Sequence, residues 1–552
     1  MNKFECFKLC LKTNKCKFVE FERKNCSLYD SIVLNDKTLN GKFWYYVENW
    51  LIECTGEKID NYDKLISKKI QENIFSNSSQ ICYIKPFFVK SLTVVKNFYL
   101  FNNFLTLIRA NTFYNLVVFL KLDLSNNKIN SIENGAFNGL SNLTSLNLRQ
   151  NLLTSLSSNM FSGLINLNEL FINLNNISFI NDRTFCSLSK LKHLYLEYNN
   201  LERIEAETFY GLDLIQQIWL HKNRIKTIDS MAFNFLTTLK VLKLEENQLT
   251  NISEFTFNKL RLLNSLELYE NVIEHLYPDI FNSLIALKTL SIQTNKICQI
   301  DVETFRNLSN LEVLYLSKNQ LSYINATTFS SLKNLIKLYL DNNFLKILND
   351  NMFIGLVKLT ELSLERNQIS FIDKNAFNGL NSLRTLDLRS NNLDYLNSEV
   401  FIKISNLFIL DLGINRLKEA NLTHLNKLDS LFLDSNQLSN FTTNLTTIKY
   451  LNLNRNPLVY LNMSFFEQNG MIPSLETLVL NFCQLEFIHK DDLQTYTKLK
   501  DLRLFGNPLK YLNDTIFDGL INLRSLRINS NVVGLTAIKT KLSSLTIYYN
   551  EN

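Results

Sequence analysis

Residues 311–321 read LEVLYLSKNQL and residues 191–201 read LKHLYLEYNNL, so both segments follow the pattern L-x-x-L-x-L-x-x-N-x-L. The asparagine of this pattern belongs to a column that recurs every 24 residues from Asn103 to Asn415. Fourteen positions share that register without a gap. A fixed period of this length indicates one repeated unit rather than several unrelated globular domains.

After Asn415 the repeats become irregular. The column continues at Asn436 and Asn456 with shorter spacing, reaches Cys483 after a longer step, and then returns to the regular interval at Asn507. We count about twenty repeats over residues 92–552, with the irregular part at 415–483. This stretch is expected to alter the local curvature.

Each repeat is predicted to contribute one short strand to a parallel sheet. In L-x-L the leucines point into the core, and neighbouring strands lie about 4.8 Å apart. The asparagine side chain can bond backbone groups that lose their partners where the chain leaves the strand. A second column, with the same interval, is expected to stack beneath the convex side: Phe113, Phe137, Phe161, Phe185, Phe209, Phe233, Phe257, Phe281, Phe305, Phe329, Phe353, Phe377 and Phe401.

This unit resembles the 24-residue "typical" leucine-rich repeat of Toll-like receptors, Slit-type guidance proteins and matrix proteins. The resemblance implies an α/β-type leucine-rich-repeat solenoid, a curved horseshoe with a parallel β-sheet on the concave face and short helical or irregular convex segments. It also implies binding of proteins, glycans or microbial products through the exposed sheet. Such proteins usually end in a cysteine-rich cap, whereas this chain stops at Asn552 inside a repeat, so we expect a C-terminal truncation.

Residues 1–54 are organised differently from the repeats and are predicted to form a small disulfide-rich α+β domain. Six of the nine cysteines fall within the first 82 residues, which favours disulfides and an oxidising compartment. Their spacing resembles a PAN/apple module, an extracellular adhesion domain. That resemblance implies two nested bonds, Cys6 with Cys26 and Cys10 with Cys16.

Two alternatives stay open for the cysteines beside that module. The resemblance implies that Cys54 closes the domain against an upstream cysteine that this sequence lacks, whereas a diverged repeat cap would pair Cys54 with Cys82. Residues 55–91 are polar and are expected to be a linker and N-terminal capping region. No apolar stretch of the length of a secretory signal separates Met1 from Cys6, so we expect either that the signal is missing from this sequence or that there is none.

Composition and motifs exclude several function classes. The formal charge is +6, with 58 basic and 52 acidic residues interspersed along the chain. The sequence lacks the basic block that phosphate binding requires, so we expect no nucleic-acid partner. No apolar run is long enough to span a membrane. Motifs for metal ligation, nucleophilic catalysis and phosphate binding are missing from the sequence, so we expect no enzyme activity, no cofactor and no metal.

The candidate binding surface follows from the outward positions of L-x-L. Phe171, Tyr195 and Trp219 occupy the same position in successive repeats, which places three large aromatic rings side by side on the concave face. Such rings bury much area at small entropic cost and are frequent interface hot spots. Further residues expected beside them are Tyr198, Tyr269 and an acidic set of Glu197, Glu245, Glu246, Glu267 and Glu270.

A structural explanation competes with this functional one. Aromatic residues favour strands by propensity, and neighbouring rings stabilise a sheet whether or not a partner binds. A second aromatic pair, Tyr315 and Tyr339, is a weaker candidate surface.

The sequence as a whole favours an extracellular adhesion or recognition protein that binds a protein or glycan ligand. A second copy of the chain, in a homodimer, is a further partner to consider. The alternatives are the ectodomain of a Toll-like signalling receptor and a matrix structural or enzyme-regulating protein. Twelve N-x-[ST] sequons occur, close to the number expected by chance, and include candidate glycosylation sites at Asn77, Asn142, Asn251, Asn325 and Asn462.

Overall fold

A computed structural model describes five short strands and residue 84 in the amino-terminal part, and then residues 95–550 apart from 115, 440–444, 462–471, 491 and 494–495. The chain divides into two compact units. The first comprises Met1–Leu249 and Phe255–Leu263, and the second comprises Thr250–Glu254 and Asn264–Asn552. Each unit is a solenoid of parallel strands.

The L-x-L segments of the first unit form a parallel ladder in which equivalent residues pair, for example Leu170 with Leu194. From the strand Asn97–Tyr99 onward, the central apolar residue of each strand lies in the core, while its two neighbours remain on the open face of the sheet, because side chains alternate along a strand. The strands are Asn73–Phe75, Asn97–Tyr99, Lys121–Asp123, Ser145–Asn147, Glu169–Phe171, His193–Tyr195, Gln217–Trp219 and Val241–Lys243.

The second unit repeats this arrangement with the same register, for example Leu314 with Leu338. Its ladder includes the irregular repeats, since the strand at Tyr450–Asn452 pairs in parallel with that at Thr477–Val479. The strands are Ser265–Glu267, Thr289–Ser291, Val313–Tyr315, Lys337–Tyr339, Glu361–Ser363, Thr385–Asp387, Ile409–Asp411, Ser430–Phe432, Tyr450–Asn452, Thr477–Val479, Asp501–Arg503, Ser525–Asn529 and Thr546–Asn550.

A second set of two-residue strands lies on the flank of the repeats and also pairs in parallel. These strands are Leu107–Ile108, Ser131–Ile132, Ser155–Leu156, Phe179–Ile180, Arg203–Ile204, Thr227–Ile228, Ile347–Leu348 and Phe371–Ile372. Most of the remaining chain between sheet strands forms turns. The helical segments in the described residues are two 3-10 helices, Ser398–Ile404 and Asp514–Phe517, and one α-helix, Leu535–Lys541.

The asparagine column performs the predicted role. The Nδ2 of Asn199 donates to the carbonyl oxygens of Ile172 in the preceding repeat at 3.2 Å and of Leu196 at 3.0 Å. Its Oδ1 accepts from the backbone N–H of Ile177 at 2.9 Å. One buried amide thereby links two repeats through backbone groups that would otherwise lack partners.

The phenylalanine column is fully buried, and its rings stack as predicted from Phe113 to Phe257 and from Phe281 to Phe377, whereas Phe401 is buried in a 3-10 helix. Phe113 and Phe137 lie with ring centroids 6.1 Å apart and planes 4° from parallel, and Phe353 and Phe377 are spaced alike. Cys483 replaces the asparagine in one repeat, where its Sγ contacts the carbonyl oxygen of Leu453 at 3.2 Å. These contacts confirm the repeat architecture.

The amino-terminal part contains two antiparallel strand pairs, Phe18–Glu22 with Asn25–Tyr29 and Lys37–Leu39 with Lys42–Trp44. The predicted disulfide cysteines Cys6, Cys10, Cys16 and Cys26 lie outside the residues whose side chains the structure describes, so their pairing remains a prediction. The strand Asn73–Phe75 pairs with Asn97–Tyr99 and brings the parallel ladder into the segment 55–91 that was expected to be a linker and capping region.

Candidate functional site

Three aromatic side chains form a row on the open sheet face of the first unit. The strands that carry them pair so that Phe171 lies opposite Tyr195 and Tyr195 lies opposite Trp219, which confirms the predicted register. The rings of Phe171 and Tyr195 stack at 4.5 Å with planes 2° apart, and Tyr195 meets Trp219 edge to face at 4.9 Å. All three side chains are half-buried. We call these three residues the aromatic row.

A lysine extends the aromatic row by one strand. Lys243 pairs in register with Trp219, and its Nζ lies 4.6 Å from the centroid of the Trp219 ring. An ammonium in this position is attracted by the ring quadrupole. Tyr195 therefore has a ring on each side, and Trp219 has Tyr195 on one side and the Lys243 ammonium over its ring.

A line of polar residues lies two positions beyond the strand ends. Glu197 and Glu245, which were expected on the surface, are buried with only 6% and 3% of their area exposed. His221 lies between them in the repeat order, and its Nδ1 is 3.7 Å from the Oε1 of Glu245. The Nζ of Lys243 reaches the same oxygen at 3.9 Å. A line of buried and half-buried ionisable groups, which we call the polar line, thus lies behind the aromatic row.

Burial changes the protonation of this polar line. It raises the pKa of the Glu197 carboxyl above its ordinary value, although a hydrogen bond with Asn173 and the nearby Arg149 act in the opposite direction. Burial, together with the positive charges of Lys243 and Lys222, lowers the pKa of His221 to about 4. His221 is therefore neutral at physiological pH.

Several polar atoms of this area have no hydrogen-bond partner among the residues that the structure describes. They are Asn173 Oδ1, His193 Nδ1, Glu197 Oε2, Trp219 Nε1 and His221 Nδ1. Buried polar groups are nearly always hydrogen-bonded in native proteins. Their concentration beside the aromatic row shows that this part of the sheet buries several polar groups.

Tyr198, Lys222 and Glu246 form the rim of the surface. The Lys222 Nζ donates to the hydroxyl of Tyr198 at 2.8 Å and lies 3.4 Å from Glu246. All three residues adopt a left-handed backbone, with φ of 56°, 55° and 54°, immediately before the buried asparagine of their repeats. The repeat geometry therefore fixes the positions of the exposed Tyr198 and the half-buried Lys222 and Glu246.

The other predicted residues belong to the second unit. Tyr269 is half-buried there, together with Glu267 and the exposed Glu270. Tyr315 and Tyr339 stack at 4.9 Å with planes 3° apart, as their equivalent positions predicted. The hydroxyl of Tyr339 donates to Glu361 Oε1 at 2.7 Å, and burial together with this bond raises the pKa of Tyr339 to about 12.

Sequence reasoning missed a charged cluster on the open sheet face of the second unit. Arg389 donates two hydrogen bonds to Asp434, both at 3.0 Å, although Gly413 occupies the equivalent position in the repeat between them. Asp387 and Asp411 lie alongside, and burial raises the pKa of Asp411 to about 6. The run Asp387, Arg389, Asp411 at outward positions was the available signal, and the shortened spacing after Asn415 concealed the position of Asp434.

The remaining predicted features have these locations. Asn142 and Asn251 are exposed, Asn325 is half-buried, and Asn77 and Asn462 lie outside the described residues. Within the described part of the chain, no group of three or more His, Cys, Asp or Glu side chains is arranged to hold a metal ion. None of the helices described there is long and apolar enough to cross a membrane.

Parallel strands stacked at a regular interval, with one buried asparagine in each turn, define the class of repeat solenoids. Comparisons with family descriptions identify the repeat. Residues 106–240 match "BspA type Leucine rich repeat region" in six copies, and segments between residues 215 and 417 match "Leucine rich repeat". The chain is therefore a leucine-rich-repeat protein. No curated protein sequence shows a significant match.

Several solved structures share this fold. A leucine-rich-repeat protein of Leptospira interrogans aligns with a TM-score of 0.52 and 21% identity over 90% of this chain and 100% of the other. The ectodomain of the Arabidopsis thaliana receptor kinase GASSHO1/SCHENGEN3, in complex with CASPARIAN STRIP INTEGRITY FACTOR 2, gives 0.55 and 24% over 85% and 57%. Toll in complex with Spatzle, from Drosophila, gives 0.52 and 19% over 83% and 84%.

A nucleic-acid complex also occurs among the similar structures. TLR13 in complex with ssRNA13 aligns with a TM-score of 0.51 and 22% identity over 83% of this chain and 88% of the other. At these levels of identity the likeness establishes the fold alone. Related solenoids thus occur in complexes with different kinds of macromolecule.

Proposed function

We propose that this protein is an extracellular recognition protein that binds a protein partner through the aromatic row and the polar line behind it. The observation that carries the proposal is the row of three adjacent half-buried rings, which lies beside Lys243 and the polar rim of Tyr198, Lys222 and Glu246. Aromatic anchors surrounded by hydrogen-bonding groups are typical of the energetic centre of protein interfaces. The similar ectodomain structures support a binding role of this kind.

The ring geometry favours a protein over a glycan or a single-stranded nucleic acid. Sugars and bases bind aromatic side chains by stacking on their faces. Tyr195 lies between Phe171 and Trp219, and Lys243 covers one face of Trp219. A polypeptide can contact the half-buried rings and the polar groups beside them together, because it supplies apolar side chains and backbone hydrogen-bonding groups in one segment.

Extracellular localisation is proposed from the cysteine-rich first 82 residues, and the extracellular ectodomains among the similar structures support it. The PAN/apple module, its two nested disulfides and glycosylation at exposed sequons such as Asn142 belong to the same proposal. A Toll-like signalling receptor is the second candidate function, supported by the likeness to Toll. Homodimer formation is a separate proposal, which concerns the flank of the second unit.

The experiment is a binding screen of the full chain against an array of secreted proteins, with a glycan array and single-stranded RNA oligonucleotides in parallel. Trp219→Ala is expected to weaken binding of the selected protein by at least about tenfold, because central aromatic residues contribute about 2 kcal/mol or more to binding. Phe179→Ala is the matched control, since Phe179 is an exposed aromatic residue on the flank of the same unit.

Circular dichroism and the thermal midpoint show whether each variant is folded. Tyr195→Leu keeps an apolar side chain in the row and serves as a second variant should Trp219→Ala prove unstable. Unchanged affinity of both folded variants would exclude the aromatic row as the binding surface. Binding only to glycans or to RNA would contradict the proposed class of partner.

A further inference from the structure

Four large apolar side chains form an exposed row on the flank of the second unit. Tyr323, Ile347, Phe371 and Tyr395 each follow the buried asparagine of their repeat by four residues, and between 47% and 61% of their area is exposed. Ile347 and Phe371 are directly paired through their short parallel strands. The four side chains therefore occupy consecutive positions along one edge of the solenoid.

A second group of four occupies the same edge further along this unit. Tyr460, Phe487, Tyr511 and Val533 are exposed to between 46% and 63%. Tyr460 and Phe487 are bridged in parallel and their rings stack at 6.4 Å, and Tyr511 is bridged to Val533. We call these two groups, eight residues in all, the apolar row.

The repeat itself does not require these apolar residues. In the first unit most equivalent positions are polar and exposed, namely Ser131, Ser155, Arg203 and Thr227, whereas Leu107 and the exposed Phe179 are apolar; the residue after each of the four polar ones is buried. The fold tolerates polar residues at this edge because the side chains point into solvent. Contiguous exposed apolar side chains on a soluble protein mark an interaction surface.

The order of the two groups is self-complementary. Two repeats separate them: the first contributes the exposed Glu419, and the corresponding position of the second lies outside the described residues. Along this edge, in the order of the repeats, four apolar positions are followed by two positions that interrupt the row and then by four more apolar positions. Rotation by 180° about the centre places each group against the other group of a second copy, which is the requirement for an isologous contact.

We propose that the flank of the second unit is a homodimer interface in which two copies pack their apolar rows antiparallel about a two-fold axis near Glu419. In this register Tyr395 faces the partner's Tyr460, and Phe371 faces the partner's Phe487. The proposal is independent of the aromatic row, which lies on the sheet face of the first unit.

The area of the row is sufficient for such a dimer. Eight side chains of this size, each about half exposed, present roughly 600–1,000 Å² on one copy. A standard protein interface covers about 800 Å² per partner. A second copy therefore accounts for the length of the row and for its symmetric order.

The competing occupant is an N-linked glycan. Asn325 and Asn513 follow Tyr323 and Tyr511 by two residues and start sequons. The capping of turns explains asparagine at this position, since the Oδ1 of Asn513 accepts the backbone N–H of Thr515 at 3.1 Å. A glycan there would lie beside the row and block a second copy.

The test is sedimentation velocity of the full chain over a range of concentrations, before and after enzymatic deglycosylation. A reversible dimer is expected in the deglycosylated sample. A monomer at every concentration in both samples would overturn the proposal. A dimer that forms only after glycan removal supports the face and identifies glycosylation as its regulator.

Charge substitutions test the register. Phe371→Lys and Phe487→Glu are each expected to weaken dimerisation at least tenfold, because each places an unpaired charge against an apolar ring. The double variant is expected to regain dimerisation, since the introduced ammonium of one copy would then meet the introduced carboxylate of the other copy at both symmetric positions. Ile521→Lys is the control, because Ile521 is exposed on the same unit outside the row.

The double variant distinguishes this arrangement from a dimer through any other face. If it dimerises as weakly as the single variants, or more weakly, the antiparallel register is wrong. Unchanged dimerisation of both folded single variants would place the interface elsewhere. Circular dichroism confirms folding, which exposed positions are expected to preserve.

Discussion

The buried asparagine shows how one residue type serves two repeats. Its amide donates to carbonyl oxygens of its own repeat and of the preceding one, and its carbonyl oxygen accepts a backbone N–H, as Asn319 does for Ile297 at 3.0 Å. An aliphatic side chain of similar size would leave these buried groups without partners, at about 1–3 kcal/mol each. Polarity at this core position therefore stabilises the fold.

Asp411 is a polar residue whose burial destabilises the fold when its side chain is charged. Its folded pKa of about 6 exceeds the ordinary value of 3.8 because burial disfavours the carboxylate. The folded state therefore holds a proton that the unfolded state releases between about pH 4 and pH 6. Stability from this group is present below pH 4 and is lost as the pH rises through 6.

We predict that Asp411→Asn raises the free energy of unfolding at pH 7.5 by about 1–3 kcal/mol, because the amide resembles the protonated carboxyl. At pH 4 the variant and the unchanged protein should be equally stable. Urea unfolding at both pH values provides the measurement, with the exposed Asp350→Asn as a control for net charge. Equal stability at pH 7.5 would contradict the raised pKa.

At the scale of elements, regular repeats allow side-chain contacts between repeats that are not neighbours. The guanidinium of Arg389 passes across the repeat of Gly413 to reach the buried carboxylate of Asp434, which also accepts from Asn452 at 3.1 Å. A Cβ at position 413 would collide with Arg389 and lie 2.8 Å from Asp434 Oδ1. Because these atoms are the ends of side chains and the φ of Gly413 lies outside the left-handed region, an added methyl group would displace the ion pair rather than strain the backbone.

We predict that Gly413→Ala lowers the free energy of unfolding by about 1–3 kcal/mol. The added methyl group would displace the Arg389 guanidinium, and the buried Asp434 carboxylate would then lose its two hydrogen bonds from that positive charge. In an Arg389→Met background the same substitution should cost much less. A double-mutant cycle by urea unfolding measures the difference. Equal costs in both backgrounds would show that the alanine acts through the backbone instead.

At the scale of the whole molecule, each repeat contacts mainly the repeats beside it, so stability is close to a sum of similar local terms. This arrangement predicts tolerance of changes in repeat number that preserve the register. It also separates the two proposed binding surfaces, since the aromatic row lies on the sheet face of one unit and the apolar row on the flank of the other. Substitutions in one are expected to leave the other unchanged.

We predict that deletion of residues 128–151, one complete repeat, yields a folded protein that retains binding through the aromatic row. The chain then continues from Asn127 to Leu152, which restores the column interval. Removal of 128–139 alone should prevent folding of the first unit, because half a repeat places core positions on the surface. Circular dichroism and the binding assay give the outcome, and identical behaviour of both deletions would disprove this modularity.

Sequence periodicity was sufficient to predict the strands, the asparagine and phenylalanine columns, and the alignment of Phe171, Tyr195 and Trp219. These features depend only on which residue occupies which place in the repeat. The burial of Glu197 and Glu245 was not predicted, because the positions beyond the strand end hold both exposed and buried side chains. Their exposure depends on the size of neighbouring side chains rather than on period.

The sequence by itself determined the repeat, its register and the residues that share a column, because a solenoid translates position in the repeat directly into position in space. Only the tertiary structure decided which columns carry exposed apolar residues, how Arg389 reaches past Gly413, and which carboxylates are buried. Those features arise from contacts between side chains of different repeats. Such contacts depend on distances that the period leaves undetermined.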